Sequence, residues 1–441
     1  MNLSHRSGAA VTRGTGTARN HAPCAAPLRR VGEETRMNFA SLVRAACRLG
    51  VAALAVPALL VGAGLPAATA QAADPVKIGA FFALSGPTAP VGTPTKLVAQ
   101  MFVDKVNKEG GINGRPIELV LGDTEGDPTK AVLTFKRFVS EEKVVAVIGP
   151  TRTDEGMAVK RQIESTGIPT VMTVGGDPVI MEGKLGNMDF GTARSVFKSP
   201  QRSSTAVRKV LGYLKKHELA KVALLLSGDN FGQDGERWLR SLAPEYGIEI
   251  VGTEQFKPTD VDMKTQLTAL AGKGPQAVIC WTIGPAGALV SKNHHALGLT
   301  MPLLQCHGLP DPAYIKLAGE ASEGDLMPAT KLMTWEALPD GDPQKKVIAE
   351  FVRLYRDEYK YDAQYPLNTH SGYAWDALLL LVEAMRKVGT EPARVRDALE
   401  ATTGLVGVSG VFNLGPQDHN GLGEDSMVML QVKGGRFVMV E

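Results

Sequence analysis

Val144-Val145-Ala146-Val147-Ile148-Gly149-Pro150-Thr151-Arg152-Thr153 decides how the rest of this chain is read. Five consecutive apolar residues stopped by Gly-Pro predict a strand buried on both faces, and the small polar residues before Met157-Ala158-Val159 predict the start of a helix. The first N–H groups of such a helix lack intrahelical partners, so a strand-to-helix turn of this kind forms an anion site. In an open α/β sheet, ligands gather at these carboxyl ends of strands.

Working outward, the same alternation recurs. Short apolar runs at Val76–Phe82, Ile117–Leu121 and Pro169–Val174 alternate with helical spacing at Leu97–Val106, Ala131–Val139 and the segment ending at Thr166. After a pause between Gly175 and Pro200 it restarts, with strands expected at Val222–Leu226, Ile248–Val251, Ala277–Trp281 and Pro302–Gln305, and helices at Phe231–Tyr246 and Met263–Leu270. Alternation of this kind predicts two α/β lobes with parallel sheets and right-handed crossovers. Beyond about Pro328 the chain turns helical, at Lys345–Tyr359, Ser371–Val388 and Pro392–Ala401, and Met427–Val432 with Arg436–Val440 read as a hairpin around Gly434-Gly435. Such late elements serve best to cover lobes already built. The chain is therefore expected to cross between lobes near Phe197–Pro200, Met327–Thr330 and Val408–Phe412. That places residues 76–197 with 329–408 in lobe 1 and 198–328 with 409–441 in lobe 2.

Composition narrows the function classes. The 441 residues are 44% hydrophobic and 21% charged, with a formal net charge of +2, which argues against both disorder and nucleic-acid binding. Leu49–Leu65 is a short run of small and apolar residues behind Arg44 and Arg48 and ahead of Ala68-Thr69-Ala70-Gln71-Ala72-Ala73. Basic region, apolar region and small-residue cleavage site together read as a secretory signal, with the mature chain starting near Ala73. Gly50, Pro57, Gly62 and Gly64 interrupt the run, which disfavours a permanent membrane span. Residues before Met37 fit no signal pattern and suggest an upstream start codon that is not used. Cys280 and Cys306 remain after cleavage, on neighbouring expected strands; they read either as buried free thiols or as a disulfide.

Catalysis finds little support. His294-His295, His307 and His370 could supply a base, but no G-x-S-x-G, H-E-x-x-H, phosphate-binding loop or metal spacing occurs, and no cofactor is called for. His294-His295 beside Lys292 reads as a solvated helix face.

A family likeness rests on an ordered set of stretches. These are Leu84-Ser85-Gly86-Pro87-Thr88-Ala89, Asn107 through Leu119 with its Gly110-Gly111-Ile112-Asn113-Gly114, Asp127-Pro128, Val147-Ile148-Gly149-Pro150, Phe197-Lys198-Ser199-Pro200, Asp229-Asn230-Phe231-Gly232 and Val411-Phe412-Asn413-Leu414-Gly415. Together they resemble the branched-chain amino-acid (Leu/Ile/Val) periplasmic binding proteins of ABC transporters, over nearly all of Val76–Glu441.

The resemblance implies a type I periplasmic-binding fold: two Rossmann-like lobes, a three-crossing hinge and a ligand cleft that closes by hinge motion. It also implies a monomer in the periplasm, with a small-molecule ligand and an ABC permease in the inner membrane as partners. A ligand-sensing periplasmic receptor subunit of the same fold is the alternative. Transferred to this chain, the family's carboxylate site falls on Thr153 and on the backbone of Gly175 and Gly176. Ser85, Val91, Phe231 and Ile283 fall on pocket-lining positions. Two departures stand out. Asp177 replaces a hydroxyl with a negative charge, and His307 falls where an acidic residue would grip an ammonium, which neutral imidazole can meet with only one hydrogen bond. The expected ligand is a small carboxylate: an aromatic or keto acid, ahead of a branched-chain amino acid.

Overall fold

A computed structural model describes residues 74–181 and 193–440. The expected signal sequence and the segment 1–73 lie outside the described residues.

The first sheet is built from β1 (Val76–Phe82), β2 (Ile117–Asp123), β3 (Ala146–Ile148), β4 (Thr170–Met172) and β5 (Val196–Lys198), in the order β2-β1-β3-β4-β5 and parallel throughout. Alternation along β1 sends Val76, Ile78, Ala80 and Phe82 to one core and Phe81 to the other. Between the strands run α1 (Ala89–Lys108), α2 (Pro128–Arg137) and α3 (Thr153–Thr166). The quoted Asp127-Pro128 has a local reason, since the Asp127 carboxylate accepts from the Lys130 N–H at 2.8 Å and caps α2.

The chain then enters a second layer through α4 (Ser203–Lys216), followed by β6 (Lys221–Ser227), α5 (Asn230–Leu242), β7 (Glu249–Phe256), α6 (Lys264–Ala271), β8 (Ala277–Trp281), α7 (Pro285–Ala296), β9 (Leu303–Gln305), α8 (Pro312–Ala318) and β10 (Leu326–Thr330). It returns with α9 (Gln344–Arg353), α10 (Ser371–Val388), α11 (Pro392–Glu400) and the short pair β11 (Leu405–Val406) and β12 (Val411–Phe412), which pack on the first core. It ends with β13 (Met427–Lys433) and β14 (Arg436–Met439).

The second sheet has the order β14-β13-β10-β9-β8-β6-β7. Within it, β7-β6-β8-β9-β10 repeats the order of the first sheet, so both layers have their topological switch point beside their first strand. This sheet is not wholly parallel: β13 runs antiparallel to both β10 and β14. A two-residue turn can only return the chain antiparallel, so the terminal hairpin converts the edge.

Two expected crossings need correction. Met327–Thr330 forms β10 and is pinned by ladder bonds to β13, so the return follows it. The last crossing does not fall at Val408–Phe412, because Phe412, Leu414 and Leu422 are buried in the first core and the chain joins the second sheet only at Met427. His294 is buried in α7, whereas its neighbour His295 is exposed. Cys280 and Cys306 are buried free thiols. No described helix is long and apolar enough to cross a membrane.

Candidate functional site

The turns after β3, β4, β6, β8 and β9 converge on one cavity of about 20 Å³, lined by Thr151, Thr153, Thr173, Gly175, Phe231, Ile283, His307, Gly308, His370 and Tyr373. All but the last two follow the carboxyl end of a strand, as the switch-point rule requires.

On the first wall, hydroxyls and backbone dominate. Thr151 Oγ1 accepts from the Ala83 N–H at 2.9 Å and Thr153 Oγ1 from the Gly176 N–H at 3.3 Å. A hydroxyl that accepts from the backbone keeps its own proton to donate, and both protons are available to a guest. Thr173 is set the other way, donating to the Pro150 carbonyl at 2.6 Å. Thr153 is free for this role because α3 is closed by another group: the Glu155 carboxylate accepts from the Arg152 N–H at 2.8 Å. Gly175 leaves the cavity open, since a Cβ there would lie 2.9 Å from the Phe231 ring and 3.0 Å from His307 Nε2.

On the second wall stand rings. His307 packs between Phe231 and Trp281, each with its ring centroid 5.5 Å away. It is 1% exposed, and neither ring nitrogen has a hydrogen-bond partner among the described residues. Burial, with the Lys198 ammonium adding to it, pushes its pKa down to about 3, so the ring is neutral. His370, at the start of α10, reaches across to the Gly308 carbonyl at 3.1 Å and is also held neutral by burial, with a pKa of about 4. The Tyr373 hydroxyl is bonded to Thr369 at 3.1 Å.

Of the nine residues expected at the site, Thr153, Gly175, Phe231, Ile283 and His307 line the cavity. Gly176 stands behind them as the donor to Thr153. Asp177, Ser85 and Val91 are elsewhere. Asp177 faces away, buried against Lys198 Nζ at 3.1 Å, and accepts from the Ser203 and Ser204 N–H groups at 2.9 and 3.2 Å, capping α4. Burial opposes its charge, but Lys198, Arg202 and these donors hold its carboxyl below the ordinary value. Ser85 donates to Asp123 Oδ2 at 2.7 Å on the exposed loop after β1. Val91 sits on α1 in an adjoining chamber. Thr151, Thr173 and Gly308 were missed although each follows a strand end. His370 and Tyr373 had no such signal, since they arrive from a helix almost 200 residues later.

The two walls are latched directly. Arg152 meets Asp229 at 3.3 Å, and the Asn230 side chain donates to Asp154 at 2.5 Å. The Asp177 N–H donates to Asp234 at 2.9 Å, and Asp234, buried and close to the Asp177 charge, has its pKa raised to about 7.

Two α/β layers of the same strand order, closed over a cavity at both switch points, are the architecture of a hinged binding protein. Comparison with known families matches residues 75–436 to the periplasmic binding protein family. The chain belongs to that family. Its relatives are of the branched-chain amino-acid type. The Leu/Ile/Val-binding protein homolog 7 of Brucella suis is 24% identical over 398 residues, covering 88% of this chain and 95% of its own. The leucine-, isoleucine-, valine-, threonine-, and alanine-binding protein of Pseudomonas aeruginosa is 24% identical over 347 residues, 76% of this chain and 85% of that protein. Among solved structures, an extracellular ligand-binding receptor from Rhodopseudomonas palustris superposes with a TM-score of 0.75 at 25% identity, covering 83% of this chain and all of that one. A branched-chain amino-acid ABC transporter protein from Thermus thermophilus with bound valine gives 0.71 at 22%, over 83% of this chain and 96% of that one. This chain is thus a periplasmic binding protein, and the relatives it matches are solute-binding proteins.

Proposed function

We propose that this protein is the solute receptor of an ABC importer of the branched-chain amino-acid type. Exported by its signal sequence, it captures a small carboxylate lacking an α-amino group and presents it to a permease in the inner membrane. The observation that carries the ligand assignment is the charge character of the cavity. None of its lining residues is acidic. The carboxylates nearest the first wall are engaged elsewhere: Asp177 is turned away and paired with Lys198, Glu155 accepts from the Arg152 N–H, and Asp154 accepts from the Asn230 side chain. An ammonium enclosed there would meet a neutral imidazole and no counter-charge, and burying an unpaired charge is strongly unfavourable. A carboxylate, by contrast, would meet the Thr151 and Thr153 hydroxyls, the first-turn N–H groups of α3 and His307, whose neutral ring has one donor to offer. Family likeness supports the transport role, and the cavity chemistry supports the narrower ligand.

The test is a thermal-shift screen of the mature protein against leucine, isoleucine and valine on one side and their 2-oxo acids, simple aliphatic acids and benzoate on the other. Ligand that binds only the folded state raises the melting temperature by mass action. A shift confined to the amino-free acids is expected. Equal or larger shifts with the amino acids would overturn the assignment.

A further inference from the structure

The polar cavity is small. A single water needs roughly 10–15 Å³, so about 20 Å³ holds little more than a head group. Beyond it lies a second chamber of about 90 Å³ that shares Gly308 and His370 with the first. Pro87 and Val91 from the first lobe and Pro285, Ala288, Leu309 and Leu317 from the second supply apolar wall from both sides. Its two acidic or phenolic neighbours are already engaged: the Asp311 carboxylate accepts from the Ala313 N–H at 2.7 Å, and the Tyr314 hydroxyl is bonded to Ser291 at 2.6 Å and to Asp325. At the junction of the two chambers, Gly308 has no side chain; a Cβ there would lie 2.6 Å from Ile283. His370 bridges this junction through its bond to the Gly308 carbonyl.

We propose that the ligand's apolar tail runs past the His370–Gly308 bridge into this second chamber, so that the preferred solute is a carboxylate extended by an unbranched or aryl-terminated chain of several carbons. The inference rests on the reading of the polar cavity as a carboxylate site. Three features converge on it. The polar cavity holds little more than a head group, the adjoining space is largely apolar and shares Gly308 and His370 with it, and both lobes contribute its wall, so the tail would be enclosed by the same closure that encloses the head. Val91 fits this arrangement, because a branched aliphatic side chain at that position leaves room that an aromatic ring would fill. Leu317, 39% exposed, stands where the chamber meets solvent and sets a limit on tail length.

The experiment is a calorimetric series on the full mature protein with propionate, butyrate, pentanoate, hexanoate, octanoate and 3-phenylpropionate. Each buried methylene strengthens binding about fourfold, so affinity should climb by that step over at least three members before levelling. Val91→Trp and Leu317→Trp, each confirmed folded by circular dichroism, should both flatten the climb. A wild-type series that is flat or falls from propionate onward overturns the chamber while leaving the carboxylate reading standing. No binding by any member overturns both. A climb that survives in both variants places the tail elsewhere and also overturns the proposal. Leu317→Trp, at a partly exposed position, secures the test if Val91→Trp does not fold.

Discussion

The two walls of the cleft occupy equivalent places in two sheets of the same strand order, yet their chemistry differs. Turns after β3 and β4 supply Thr151, Thr153, Thr173 and Gly175; turns after β8 and β9, at the matching positions of the second sheet, supply Ile283, His307 and Gly308. The first wall offers hydroxyl protons and backbone, the second a ring-lined surface with a neutral histidine. Doubly wound topology dictates where functional residues can stand, and the side chains at those places dictate what they do.

The sharpest way to break this contrast is to remove what keeps charge off the first wall. Asp177→Ala strands the Lys198 ammonium in the interior, and the expected loss is about 3–5 kcal/mol of folding stability, read from the midpoint of urea unfolding. Thr153→Val comes next. It deletes a hydroxyl donor but leaves the isosteric methyl groups, so carboxylate affinity should weaken by about 1–3 kcal/mol by calorimetry; full affinity in this variant would move the head group to another part of the cleft.

On the second wall, His307 makes a prediction about pH. Its pKa is about 3 when folded against an ordinary value near 6.5, so the unfolded chain takes up a proton on acidification that the folded chain refuses. Stability contributed by this group is present above pH 6.5 and falls as pH drops toward 3. At pH 5 the loss is about 2 kcal/mol from His307 alone, and His307→Gln should show a smaller decline between pH 7 and 5 than the parent protein. Equal declines would mean that the ring carries a proton in the fold. The smallest effect concerns the join between the walls. Asn230→Ala removes an interlobe hydrogen bond to Asp154 and should weaken ligand binding by about 0.5–1.5 kcal/mol, with small-angle scattering showing a larger open fraction.

Much of this was legible along the chain because the signals were local. β8 falls at Ala277–Trp281 as its apolar run indicates, and Thr153, Gly175, Phe231, Ile283 and His307, expected from strand ends and a family likeness, line one cavity. Ser85 and Asp177 were misplaced for a physical reason. Each has a partner that no local pattern reveals: Asp123, on the neighbouring strand, draws the Ser85 hydroxyl outward, and Lys198, at the end of the next strand β5, draws Asp177 inward. The last crossing was placed too early because Phe412 and Leu422 bury against helices that precede them.

Hydrophobic periodicity and turn chemistry, which depend on neighbours a few residues apart, determined many of the strands and helices and their α/β alternation from the sequence by itself, and the family resemblance added the two-lobed build. Tertiary structure alone decided that His370 and Tyr373 close the cavity, that Asp177 is paired out of it, and that a second chamber opens beyond His370. Those outcomes depend on which distant side chains share one buried volume, and burial sets both the charge a group can carry and the space left for a ligand.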